Sequence, residues 1–272
     1  MVRKRRDNHI PGIHNYCDRW CERCDYTGRC SVFADIERED RALRGQAKEE
    51  AASQERTLRT VGRSFDKTRR LLERWARKEG IDLEQLARQG SQDMESHRAS
   101  ISRHPVAQAA EAYTLAAGQL LKKVQPILED SVDDIKRRGG FMDVDPEMDR
   151  LWAVREAIEV VNWDHILITA KMRRALSGLL HAQQEEEDLR PMAMREANGS
   201  AHVTRRSLRR SCDALRILYH WDKQIQDACL SLLVQGDRLL RSVEKLFPGC
   251  VEFVWPPKED PPPADQEPLR RG

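Results

Sequence analysis

A chain of 272 residues with 39% hydrophobic and 34% charged side chains holds enough apolar material for one sizeable core, but no window is apolar enough for a membrane span. Its 47 Lys and Arg offset 45 Asp and Glu to a net charge of +2, which excludes a global field suited to nucleic acid or to an anionic membrane. Long runs of Ala, Leu, Glu, Arg and Lys with few Gly or Pro, and only 6% aromatics, predict an all-α protein.

The first 13 residues form a basic arm without an apolar segment that could direct secretion, so a cytoplasmic protein is expected. The arm leads into a cysteine module that ends near Phe33. Four of the seven cysteines, Cys17, Cys21, Cys24 and Cys30, stand in a C-x3-C-x2-C-x5-C array among charged residues and one glycine. Four thiols this close in a chain this long point to a metal site in a reducing compartment, not to a disulfide framework. Zinc and a 4Fe-4S iron-sulfur cluster both accept four thiolates. Structural zinc more often uses two Cys pairs a dozen or more residues apart, whereas clusters tolerate compact runs. A thiol redox switch is the third reading, and His14 is a candidate substitute ligand or neighbour. Cys212, Cys229 and Cys250 read as small core residues.

The segment Cys21-Glu22-Arg23-Cys24-Asp25-Tyr26-Thr27-Gly28-Arg29-Cys30 resembles the C-x2-C-x5-C element of 4Fe-4S sites in auxiliary-cluster domains of radical-SAM maturases. It is also similar to the cluster clasp of CRISPR-associated and helicase-linked exonucleases. The likeness implies a ligand set only, because no radical-SAM barrel, nuclease carboxylate constellation or ATP-binding loop accompanies it. Read from Cys17, the spacing C-x3-C-x2-C equals the radical-SAM signature, but no α/β barrel follows. The wider layout resembles a group of uncharacterised bacterial helical proteins and implies no activity. It rests on Ile13-His14-Asn15-Tyr16-Cys17, on Trp163 with Lys171 to Leu176, and on Glu196-Ala-Asn-Gly-Ser-Ala.

Residues 34–104 read as a charged helical segment and connection. Leu58, Val61, Phe65, Leu72 and Trp75 recur at spacings of three, four and seven, a narrow stripe that would lie against a bundle or a partner helix. A protein partner or self-association through helix faces is therefore expected. Gly80-Ile81-Asp82 stops that helix, Asp82 caps a short one through Ala87, and Gly90 to His104 reads as a polar connection.

Residues 105–255 carry four amphipathic stretches, and an antiparallel helical bundle is the architecture they favour. The first opens at Pro105 and runs to about Glu129, with Pro126 a candidate kink or end. After turns at Arg138-Gly139-Gly140 and Asp145-Pro146, the longest runs from Glu147 to about Gln183. It carries one stripe through Leu151, Val154, Ile158, Val161, His165, Ile168, Met172, Ala175 and Leu179. Trp152, Trp163, Ile166 and Ala170 form a second stripe beside it. The third starts after Asn198-Gly199 with Ser200 as its cap, and the fourth spans Asp222 to Phe247 in near-heptad register. Cys250 to Trp255 alternates like a short strand or packs as an extended tail, and the Pro-rich stretch 256–272 has the composition of disorder.

Two further constellations lie in the bundle. Glu111, Glu159 and His165 are candidates for a second metal site, but the Glu-x-x-His pairs of di-iron bundles are missing and Glu159 points about 120° from His165. A hydrogen-bonded core histidine is the favoured reading, with Glu111 its polar partner or solvent-facing. Arg205, Arg206, Arg209 and Arg210 share one helix face and offer a basic patch for phosphates of nucleic acid or for an acidic helix. The favoured reading is a solvated face paired with the run Glu185 to Asp188. No Gly-x-Ser-x-Gly elbow, Cys-His-Asp arrangement or phosphate-binding glycine loop is present, so no catalytic constellation is named.

Overall fold

In the computed structural model the described residues are 9–44, 50–137 and 145–255. The protein is all-α, and no strand occurs among these residues. Among the described residues seven α-helices follow one another: α1 (Ser31–Arg44), α2 (Glu50–Glu79), α3 (Leu83–Arg103), α4 (Pro105–Arg137), α5 (Asp145–Gln184), α6 (Arg190–Trp221) and α7 (Gln226–Leu246). The basic residues 1–8, the turn at Arg138-Gly139-Gly140 and the Pro-rich stretch 256–272 lie outside the described residues.

Helices α4 to α7 enclose one core. Their direction follows from which residues meet. Glu111 pairs with Arg173 while Thr114 meets His165 and Thr169, so α4 and α5 run antiparallel. Arg174 meets Glu196 and Arg150 reaches the carbonyls of His220 and Trp221, so α5 and α6 do too. Arg205 meets Glu244 and Cys212 lies against Gly236, which orients α7 against α6. The core itself is Tyr113, Leu120, Ile168, Met172, Leu176, Leu208, Leu215, Leu218, Ile225, Leu232, Leu239 and Phe247, all fully buried. Burying an aliphatic side chain of this size stabilises by roughly 1.5–3 kcal/mol, so the bundle rests on non-directional apolar burial.

Several local expectations hold for the reasons given. Gly80 takes φ 69° at the end of α2, and Ile81 donates to the Ala76 carbonyl at 2.8 Å, which closes the helix with a left-handed cap. Asp82 then caps α3 by accepting from the backbone N–H of Glu84 and Gln85. Ala110, Tyr113, Ala117, Leu120 and Val124 line the buried face of α4, and Cys229, Leu232, Gly236, Leu239 and Val243 that of α7.

Four expectations need correction. First, α3 does not stop at Ala87 but continues to Arg103, through the stretch read as a polar connection. Gly90 costs it about 1 kcal/mol, and contacts at its far end override that: Ile101 is buried, Ser102 accepts from Arg173 at 2.8 Å, and His97 bonds Ser177 at 2.9 Å. Second, α4 passes through Pro126 to Arg137. The buried Leu120 and Val124 hold its path although one backbone hydrogen bond is lost. Third, the second stripe of α5 is not uniformly packed, since Trp152 and Ile166 are exposed. Fourth, α6 begins at Arg190, not after Gly199, and Ser200 is buried mid-helix. A single-turn 3-10 element spans Pro248–Cys250, and residues 251–255 follow as irregular chain.

A candidate metal centre and its seat on the bundle

The cysteine module is a loop with two single-turn 3-10 elements, Cys21–Arg23 and Thr27–Arg29, closed by a hydrogen bond from Ile10 N–H to the Arg29 carbonyl at 3.0 Å. All four thiols are free and half-buried, whereas Cys212, Cys229 and Cys250 are free and fully within the core. Burial pushes the Cys21 thiol above its ordinary value, and the neighbouring Cys17 and Cys24 push it further. Burial also raises Cys24, opposed by the N–H of Tyr26, which donates to Cys24 Sγ at 3.4 Å. The Cys17 thiol donates to the His14 carbonyl at 3.4 Å, and the buried Nδ1 of His14 has no hydrogen-bond partner. Among the described residues no three His, Cys, Asp or Glu side chains stand arranged to hold a metal ion, so ligation requires the thiols to close up on it.

What the loop does with its other side chains is more specific. Arg19 takes φ 61°, an uncommon conformation outside glycine, and the residues on either side of it both engage the bundle. Asp18 accepts at its carbonyl from Trp163 Nε1 at 3.0 Å and at Oδ2 from Arg210 at 2.9 Å. Trp20 is buried and stacks on Trp163, with ring centroids 5.1 Å apart and planes 18° from parallel. The guanidinium groups of Arg23 and Arg210 lie over Trp20 at 4.0 and 5.1 Å. Arg23 also grips Glu156 and Glu159 of α5 at 3.1 and 2.9 Å.

Arg210 is the node of this seat. From α6 it holds Asp164 of α5 through two hydrogen bonds of 2.6 and 2.8 Å while reaching Asp18 of the loop. Asp164 is wholly buried, and burial pushes its carboxyl up against the opposing pull of Arg210. Beneath the loop, burial lowers Lys171, a cation within electrostatic reach of Cys17 and Asp18.

A second seat receives Tyr16. Its ring sits over Gly199, where an added Cβ would lie 2.4 Å from ring atoms, and its hydroxyl donates to Glu196 at 2.9 Å. Burial and that bond push the Tyr16 hydroxyl up to about 12. Phe253 and Trp255 meet the same ring edge-on at 5.0 Å each, and Trp255 Nε1 donates to the Ile13 carbonyl at 2.9 Å. Of the two readings of this alternation, a short strand or a packed extended tail, the second fits: a row of aromatic contacts fastens residues 253–255 to the loop. Comparison with family models, with curated proteins and with solved structures finds no match for this chain.

The other candidate residues are placed apart. Glu111 pairs with Arg173, Glu159 with Arg23 and Arg155, and His165 Nδ1 with the Val161 carbonyl of its own helix. The structure does not bring these three together as one site. The four arginines of α6 are answered by carboxylates of the protein, though not by Glu185 to Asp188. Arg205 and Arg209 meet Glu244 at 2.6 and 3.3 Å, Arg206 meets Asp18 at 3.9 Å, and Arg210 serves the seat. Sequence reasoning missed the Asp18, Trp20, Asp164 and Arg210 node and the Gly199 slot. The available signals were an Asp-Arg-Trp run between two cysteines and a Trp-Asp pair in the middle of the most apolar helix.

Proposed function

We propose that the protein is a non-catalytic metal-binding protein with a tetrathiolate centre at Cys17, Cys21, Cys24 and Cys30. The observation that carries this reading is the division of labour in one loop. Its aromatic and charged side chains, Tyr16, Asp18, Trp20 and Arg23, are spent on docking, while four unpaired thiols remain half-buried among them. Thiols set this close resist losing their protons because burial and their neighbours oppose the charged form. A bound cation would displace those protons and stabilise the thiolates, and metal-binding energy in so small a module would be folding energy. The metal would fix the loop, and the loop covers α5 and α6 through Trp163 and Gly199. Metal status thereby controls which bundle surface is exposed, which is an interaction or regulatory role.

Metal analysis with a visible spectrum on protein purified without oxygen tests this, comparing wild type with Cys24→Ser. One zinc per chain without colour supports a structural centre. About four irons with broad absorbance near 400 nm support a cluster and an electron-transfer role. Either metal should be lost in the variant. Wild-type protein with neither metal, and with no uptake of zinc or reconstituted cluster, would overturn the reading.

A further inference from the structure

Between Phe65 and Trp75, helix α2 carries bulky apolar side chains that the rest of the described residues leaves exposed. Phe65, Leu71, Leu72 and Trp75 are 72%, 51%, 50% and 51% exposed, which is large for four bulky side chains on one 30-residue helix. The spacing is heptad throughout. Ala51, Leu58, Phe65 and Leu72 occupy one core position, and Gln54, Val61, Thr68 and Trp75 the other, so the seam runs over about three and a half heptads and about 36 Å. A single helix with such a seam needs a second helix.

We propose that α2 pairs antiparallel with α2 of a second copy of this chain, forming a two-fold symmetric coiled coil. Charge selects the partner and the direction. In the positions flanking the seam, Glu50 and Glu55 stand in the amino-terminal half, Arg69 and Lys78 in the carboxy-terminal half. A parallel pair sets Glu50 against Glu55 of the other copy, which repels. In an antiparallel pair centred near Arg63, Glu50 meets Lys78 and Glu55 meets Arg69, each pair occurring twice by symmetry. The same register also matches sizes. Ala51 meets Trp75, Gln54 meets Leu72, Leu58 meets Thr68 and Val61 meets Phe65, so every layer of the seam combines a bulky side chain with a smaller or polar one. At the two-fold axis Gly62 faces Gly62. The inference does not depend on the metal reading, since α2 carries none of the cysteines.

Sedimentation equilibrium of the full chain over a wide concentration range tests it, with circular dichroism to confirm that each variant folds. Wild type is expected at twice 31.5 kDa. Leu72→Glu should weaken the dimer about a hundredfold, because two charges enter the seam. Glu55→Arg should weaken it about tenfold, and adding Arg69→Glu should restore it. A parallel dimer gives the opposite sign, since Glu55→Arg would then relieve repulsion and tighten association. Tightening by Glu55→Arg, a dimer indifferent to Leu72→Glu, or a wild-type monomer at every concentration each overturns the proposal.

Discussion

The bundle and the cysteine module are held by different physics. Helices α4 to α7 bury a dozen large apolar side chains at under 2% exposure, an arrangement in which many substitutions cost a little and few cost everything. The module is seated by two aromatic rings, one arginine node and one glycine slot, so its attachment is concentrated in a few residues. A core that depends on area tolerates change of detail, whereas a seat that depends on direction does not.

The sharpest way to break this contrast is Trp20→Ala. It removes the stack on Trp163 and the surface under Arg23 and Arg210, and is expected to cost about 3–5 kcal/mol of module docking. Trp fluorescence should report the loosened module while the helical signal of the bundle stays intact. Arg210→Ala follows at roughly 3 kcal/mol, because it strands the buried Asp164 carboxylate. The double change to Arg210→Met with Asp164→Leu should recover much of the bundle's thermal stability but not the seating of Asp18.

Glycine substitutions turn the comparison into a difference of sign. Gly118→Ala in α4 meets nothing within 4 Å and should stabilise by about 0.5–1 kcal/mol through helix propensity. Gly199→Ala has the same propensity gain but drives a methyl into the Tyr16 ring, and should instead cost about 1–3 kcal/mol in thermal melts. Equal effects at the two positions would mean that Tyr16 is not seated there.

The smallest effect is electrostatic. Burial raises the Glu196 carboxyl, but the hydrogen bonds from Arg174 and Tyr16 outweigh it and hold the group below its ordinary value. A carboxylate held low contributes stability above its unfolded value of about 4.3 and loses it as pH falls through the folded value. Glu196→Gln should therefore lower module stability by under about 1 kcal/mol at pH 7, since the group is 41% exposed. In melts, the gap from wild type should begin to narrow as pH falls below the unfolded value of about 4.3 and close only below the group's depressed folded value.

What could be read from the sequence follows the same division. Stripes at helical spacing mark α4 and α7 because apolar periodicity is a local property, and Gly80 with Asp82 mark a boundary because caps are local chemistry. The slot at Gly199 was legible only as a glycine after Asn198, which looks like a helix start. Its reason, the ring of Tyr16, lies 183 positions away. Arg210 looked like one of four solvent-facing arginines, since nothing local announces a buried Asp164 on another helix. The length of α3 was hidden for a similar reason: its last turns are fixed by Ser177 and Arg173 of α5. The four cysteines were plain in the sequence, and the side chains that seat them were not.

Amide hydrogen exchange before and after a strong chelator tests the central claim most directly. If a metal completes the module, chelation should release protection across Ile10 to Cys30 and around Trp255, and leave α4 to α7 unchanged. Exchange that is indifferent to the chelator, or that rises evenly through the bundle, would contradict a metal-held module seated on an independently stable core.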